Sequence, residues 1–367
     1  MVKRTWTSIW AKGVARSLKA LRKASMPASP RRTARKVKPA KRKPVPRPSA
    51  APDRVRATAK QVAGFWVPGL ARGPTGVRRY RLYRPPGLKA GERVPMVVML
   101  HGCGQDANGF AASTRMNQVA ARGRFVVLYP EQDRLANAQG CWNWFDTRSG
   151  RAYAEAALVM AAVEQVCTLY PVDRQRVVVA GMSAGASMAA LVATRYPEHF
   201  KAVVMHSGIP PGTAHSTLTA LRAMQGRRPT AAVPATAATT AARWPAMLVI
   251  HGTVDGVVDV RNGRAAAKLF ADAAGARATL PRNVQRGKRY ATGLTDFKCK
   301  GVTVVTLAEV GRLGHAWSGG AANQPFSDAK GPDASRMVWA FASKQFGRSA
   351  LAKPKQLGHV RLATDSF

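Results

Sequence analysis

Residues 176–197 read RVVVAGMSAGASMAALVATRYP: a β-branched run, two glycines bracketing Ser183, then small apolar residues at helical spacing that stop at Pro197. A bare GxSxG is weak evidence, since this composition supplies one by chance in roughly one chain out of eight. Its surroundings carry the reading. A strand over RVVVA, a turn at Gly181–Gly185 and a helix over ASMAALVATR together form a strained corner that exposes a serine at a strand end. Pro197 closes that helix, and Ala184, Ala186 and Ala189 let it pack closely. The competing reading, a serine that merely caps a helix after a glycine turn, leaves the strand before it unexplained.

Five further apolar runs share the character of RVVVAG: VPMVVMLHG (94–102), RFVVLYP (124–130), KAVVMHSG (201–208), AMLVIHG (246–252) and VTVVTLAEV (302–310). Strands that are apolar on both faces are covered on both sides, which predicts a mostly parallel sheet between helical layers. In such a sheet chemistry sits on the loops that follow the strands.

A serine needs a base and an orienting acid, expected here in the chain order serine, acid, histidine. TVDGVVDV after the AMLVIHG strand offers Asp255 and Asp259. Asp255 lies beside the strand end and is the chosen acid, whereas Asp259 is placed to face solvent or cap the next helix. GHAWSGG after the VTVVTLAEV strand supplies His315 as the base. His101, His206 and His251 close strands or open a glycine turn and are expected to be packed or hydrogen-bonded. An oxyanion hole requires two backbone N–H groups. Ala184 follows the serine and supplies one, and Cys103, between Gly102 and Gly104, supplies the other.

Charge adds a second theme. The 367 residues carry 58 Lys and Arg against 18 Asp and Glu. Residues 1–60 hold 19 of those bases and one acid, and the remainder still holds 39 bases against 17 acids. Such a field favours anionic partners. Over residues 3–23, Trp6, Ile9, Trp10, Val14, Leu18 and Leu21 fall on one side of a helical wheel and Lys12, Arg16, Lys19, Arg22 and Lys23 on the other. The spacing predicts a basic amphipathic helix lying on an anionic surface; packing on its own domain and a mitochondrial transit peptide share the pattern. Residues 27–52, rich in Pro, Lys and Arg and without an aromatic residue, are expected to be extended or disordered. They serve either as a sequence-independent polyanion contact or as a solvated linker, and they do not stack on bases. No run of 18 apolar residues occurs, so no membrane span is expected. TWTSIWA (5–11) is too short and polar for a secretory h-region, so no Sec signal is expected. The four cysteines lack the paired spacings of a zinc site, and no metal is expected.

Taken in order, LHGCGQDANGFA (100–111), GCWNWF (140–145), GMSAGASMAA (181–190), HGTVDGVVDVRN (251–262), GHAWSGG (314–320) and DAKGPDASRMVWAFA (328–342) resemble the polyhydroxybutyrate depolymerase and feruloyl or acetylxylan esterase group of α/β-hydrolases. The resemblance covers roughly residues 75–347. It implies an α/β-hydrolase fold, Ser183, Asp255 and His315 as a triad, ester hydrolysis through an acyl-enzyme, and no cofactor. Cys103 and Cys141 match positions that resemble a bonded pair in the family. A disulfide would staple the oxyanion loop to CWNWF, although a cytosolic setting disfavours it.

Trp142, Trp144 and Phe145, with Trp317 beside the candidate base, are expected to wall an acyl pocket or to pack in the core. The domain reading is a basic tail (1–60), a catalytic domain (61–348) with a lid or rim segment at 209–245 that is flexible toward its end, and a C-terminal tail (349–367). The expected substrate is poly(3-hydroxybutyrate) or its oligomers, with residues 1–60 drawing the chain to a polymer granule or anionic membrane and making non-specific nucleic-acid contacts. An intracellular or granule-associated location is preferred, with export as the alternative. The competing functions are a soluble feruloyl or acetylxylan-type carboxylesterase and a non-catalytic polyanion-binding protein on a hydrolase scaffold.

Overall fold

A computed structural model describes residues 64–89, 91–230 and 244–351, the last four of these by backbone alone. The amphipathic stretch 3–23, the basic run 27–52, the second half of the 209–245 segment and residues 352–367 lie outside the described residues. The described residues all fall in one compact unit.

The six runs picked out above are the strands β3 (Val94–Leu100), β4 (Val126–Pro130), β5 (Val172–Met182), β6 (Ala202–His206), β7 (Ala246–Gly252) and β11 (Val302–Val310). They pair in parallel in the order β4-β3-β5-β6-β7-β11. Antiparallel strands extend both edges. The hairpin β1 (Phe65–Gly73) and β2 (Gly76–Arg84) joins β4, and β8 (Arg277–Ala278), β9 (Arg282–Val284) and β10 (Thr292–Cys299) build outward from β11. The result is an 11-stranded sheet, with β12 (Trp317–Ser318) and β13 (Ser327–Asp328) forming a separate two-stranded ladder.

Alternation along each strand divides the core in two. Met96, Val98 and Leu100 face a cluster shared with α3 (Arg151–Leu169), α4 (Ala184–Arg195) and α6 (Arg261–Ala273). Val97 and Met99 face a second cluster shared with α1 (Ala107–Thr114), α2 (Met116–Gly123) and α7 (Ala334–Leu351). Every residue of β3 and β4 is buried, because helices cover both faces. This is the α/β-hydrolase architecture expected above. By length and composition α3 could cross a bilayer. Instead it is a core helix, with Ala156, Val159, Val163 and Val166 among its buried residues.

The first half of the 209–245 segment is packed. Ile209, Pro210 and Pro211 are buried. The short helix α5 (Thr217–Met224) starts at a Ser216–Thr219 capping box. It docks on the loop after β7 and the first turn of α6, where the Asp259 N–H donates to Met224 O at 2.8 Å and Asn262 Nδ2 to Ala223 O at 2.9 Å. Over residues 209–230 the segment is therefore packed against the fold. The part expected to be flexible lies outside the described residues.

Candidate active site

Ser183 stands between β5 and α4 with φ 56° and ψ −123°, a conformation that a residue with a Cβ seldom holds. The two motif glycines make that corner feasible. A Cβ on Gly181 would meet Gly185 O at 2.3 Å, and one on Gly185 would meet Leu100 O at 2.1 Å. The Ser183 N–H is tied to His206 O at 2.9 Å, which locks the corner to the end of β6.

Sheet register sets the remaining groups in the same row. Leu100 aligns with Gly181, Met182 with His206, His206 with Ile250, and Gly252 with Val310. All these pairs lie at the C-terminal ends of parallel strands, so the loops carrying Ser183, Asp255 and His315 leave the sheet at one level. The last two are pressed together at Gly252, where an added Cβ would meet Leu313 O at 2.1 Å. The Thr253 N–H donates to Val310 O and the Val254 N–H to Leu313 O, at 3.0 and 3.2 Å.

Across that seam His315 Nδ1 lies 2.8 Å from Asp255 Oδ2. The Asp255 side chain is fully buried, and its Oδ1 accepts from the Val257 and Val258 N–H groups, each at 2.9 Å. Burial alone pushes this carboxyl up. The His315 hydrogen bond, the two neighbouring imidazoles and the Val258 amide outweigh it and hold the group below its ordinary value. Nδ1–H pointing at a carboxylate leaves Nε2 of His315 as the proton acceptor. Asp259 is elsewhere, bound to Arg261 through its guanidinium and its backbone N–H.

Gly102 lies against the serine, its Cβ position 3.5 Å from Ser183 Cβ. The Gly102 N–H is occupied by Gln105 Oε1 at 3.0 Å and the Gly104 N–H by Gln139 O at 2.8 Å. Among the described residues, the intervening Cys103 N–H and the Ala184 N–H at the start of α4 donate to no protein acceptor. A disulfide joins Cys103 to Cys141 and so anchors this loop to the CWNWF segment.

That segment is held from beneath by a polar cluster that residue patterns did not reveal. Buried Glu155 of α3 accepts from Gln132 Nε2 at 2.7 Å, from Asn143 Nδ2 at 2.6 Å and from the Asn143 N–H at 2.8 Å. Arg78 of β2 donates to Gln132 Oε1 at 2.7 Å and lies over the Trp142 ring. The Gln132 N–H donates to His101 Nε2 at 3.1 Å. The partners are drawn from β2, the loops after β3 and β4, and α3, and only folding brings them together.

Two expected pocket residues are corrected by their burial. Trp142 is fully buried, its indole N–H donating to His101 O at 3.0 Å. Trp317 is fully buried as well, its N–H on Ser335 Oγ at 3.1 Å and its ring stacked on His206. With ring faces packed and the one polar atom satisfied, both support the loops from below and have no surface for a ligand. Trp144 keeps 8 % exposure and meets half-buried Phe145 edge-on.

The three other strand-end histidines are buried and hydrogen-bonded. Burial lowers His101 to about 4, and burial with the neighbouring imidazoles lowers His206 to about 3. His206 Nε2 accepts from the Ser318 N–H at 3.1 Å, fixing the loop that carries His315. His251 Nε2 donates to Val258 O at 2.9 Å and lies 3.6 Å from Asp255 Oδ2, a second imidazole on the candidate acid.

Residues 78–283 match the Esterase PHB depolymerase family, a span that includes Ser183 and Asp255 and stops short of His315. The chain is 31 % identical over 159 residues to a poly(3-hydroxyalkanoate) depolymerase C of Paucimonas lemoignei, covering 43 % of this chain and 37 % of that protein. It is 32 % identical over 145 residues to a feruloyl esterase B of Neurospora crassa, covering 39 % of this chain and 48 % of that protein. The aligned parts thus span between about a third and a half of these relatives' lengths. An acetyl xylan esterase structure from Aspergillus awamori superposes with a TM-score of 0.54 at 20 % identity, over 68 % of this chain and 93 % of that one, a likeness of fold. With the family matched over more than half its length, the chain belongs to the PHB depolymerase family of esterases.

Proposed function

We propose that the chain hydrolyses carboxylic esters through a Ser183–His315–Asp255 triad, with poly(3-hydroxybutyrate) or its oligomers as substrate. His315 Nε2 takes the Ser183 hydroxyl proton as Oγ attacks the ester carbonyl, and Asp255 holds the imidazole in the required tautomer. The Cys103 and Ala184 N–H groups receive the oxyanion. Collapse expels the alcohol, protonated by His315. A water deprotonated by the same imidazole then releases the acid from Ser183. Trp144 and Phe145 are the candidates for an apolar wall on the acyl side.

The observation that carries this reading is the His315 Nδ1–Asp255 Oδ2 contact of 2.8 Å at the strand-end row from which Ser183 projects on a positive-φ corner. The test is turnover of p-nitrophenyl butyrate by the wild type and by Ser183→Ala; a folded wild type without activity defeats the reading. A feruloyl or acetylxylan-type esterase is the second reading, favoured by the similarity to feruloyl esterase B. Turnover of amorphous polymer granules, hydroxybutyrate oligomers and feruloyl esters in parallel separates the two.

The Cys103–Cys141 disulfide favours an oxidising compartment, and hence export, over the intracellular location preferred from the tail. Residues 1–60 are proposed to bring the enzyme to an anionic granule or membrane surface.

A further inference from the structure

A second cleft, none of whose lining residues belongs to the candidate active site, lies between α2, the β9–β10 segment and α7. It encloses about 500 Å³ and gathers five arginines, Arg115, Arg122, Arg286, Arg289 and Arg336, around one carboxylate, Asp333. Two of the guanidiniums are aimed by backbone carbonyls: Arg115 Nη2 donates to Gly319 O, and Arg289 Nη1 to Ala329 O and Gly331 O. Arg336 is half-engaged with Asp333 at 3.6 Å. Arg122 and Arg286 are exposed, and among the described residues no acid pairs with either.

So many like charges in one small volume repel unless an anion enters. The lining of the cleft also includes the apolar side chains of Val119, Leu294, Pro332 and Met337. Apolar and arginine side chains in one cleft suit an anion with a hydrocarbon body better than a bare phosphate. Its volume is that of a small-molecule site. Nucleic acid fits it poorly, because among the described residues Tyr290 is the one aromatic lining the cleft, its ring faces Arg312 and its hydroxyl is bound to Asp328.

We propose that this cleft binds an amphiphilic carboxylate, an aliphatic chain ending in –COO⁻, with Arg122 and Arg286 closing on the head group. Two sources share that chemistry: a hydroxy-acid oligomer released by ester hydrolysis, which rests on the function proposed above, and a free fatty acid, which does not.

Calorimetric titration of the full chain tests it. Ser183→Ala is the host protein, so nothing is hydrolysed and a missing esterase activity cannot masquerade as missing binding. Octanoate and the 3-hydroxybutyrate trimer are the probes, with inorganic phosphate and 1-octanol as controls. At least one carboxylate should bind more tightly than both controls, and the tighter of the two names the source. Replacing Arg122 and Arg286 together by Ala should weaken it about ten-fold or more, replacing both by Lys should weaken it less, and raising NaCl from about 50 to about 500 mM should weaken it further. The double alanine comparison also removes any contribution from the basic residues of 1–60. Equal binding by the double alanine variant, phosphate or 1-octanol binding as tight as the better carboxylate, or no carboxylate binding at all overturns the proposal.

Discussion

Ser183 sits in a backbone conformation that only its surroundings make tolerable, and its neighbours are specialised to match. Ser183→Ala should leave the fold intact and lower kcat for p-nitrophenyl butyrate by about 10⁴-fold or more, because the residues of a triad act as a unit. Asp255→Asn should cost about 10³- to 10⁴-fold, since an amide no longer selects the Nδ1–H tautomer of His315. Asp255 also contributes to stability. Its folded pKa is depressed, so that contribution is complete above the unfolded carboxyl value and is lost as pH falls through the folded one. Denaturant titrations of the wild type and Asp255→Asn should therefore converge as pH falls through the depressed folded value of the carboxyl.

At the scale of elements, the site depends on backbones that approach without side chains between them. Gly252→Ala places a Cβ 2.1 Å from Leu313 O and must part the loops carrying Asp255 and His315. It should lower kcat well before it abolishes folding, with a stability loss of about 1–3 kcal/mol by thermal denaturation. The Cys103–Cys141 disulfide closes a loop with a sequence separation of 38. Cys141→Ala should cost about 3–4 kcal/mol by the chain-entropy estimate and should lower kcat, because the Cys103 amide loses its anchor. A reductant should lower wild-type stability and leave Cys141→Ala unaffected.

For the molecule as a whole, buried imidazoles set the acid limit. His101 and His206, lowered to about 4 and about 3, stay neutral in the fold where the unfolded chain takes up protons below about 6.5. Between those values the unfolded state binds more protons, so stability falls as pH falls, by about 2 kcal/mol for each histidine at pH 5. Tm should drop from pH 7 to pH 5, and His206→Gln should flatten the profile. Removing residues 1–60 should spare soluble-ester turnover and reduce sedimentation with anionic vesicles or polymer granules; unchanged sedimentation rejects the targeting role.

Local pattern was sufficient for the parallel strands and the corner at Ser183, because each depends on neighbours within a few residues. β-branched runs make covered strands, and glycines mark the close approaches at 181 and 185. The antiparallel edges were not legible, since β1, β2 and β10 mix exposed and buried positions in an order no apolar run announces. Nor was the fate of the tryptophans. An indole beside a candidate site reads the same in sequence whether it lines a pocket or fills a core. Long-range packing decided between them, placing Trp142 against His101 and Trp317 on His206, 41 and 111 positions away in the chain. The arginine cleft belongs to the same class: its members lie between positions 115 and 336, and only the tertiary structure turns a diffuse surplus of charge into a site.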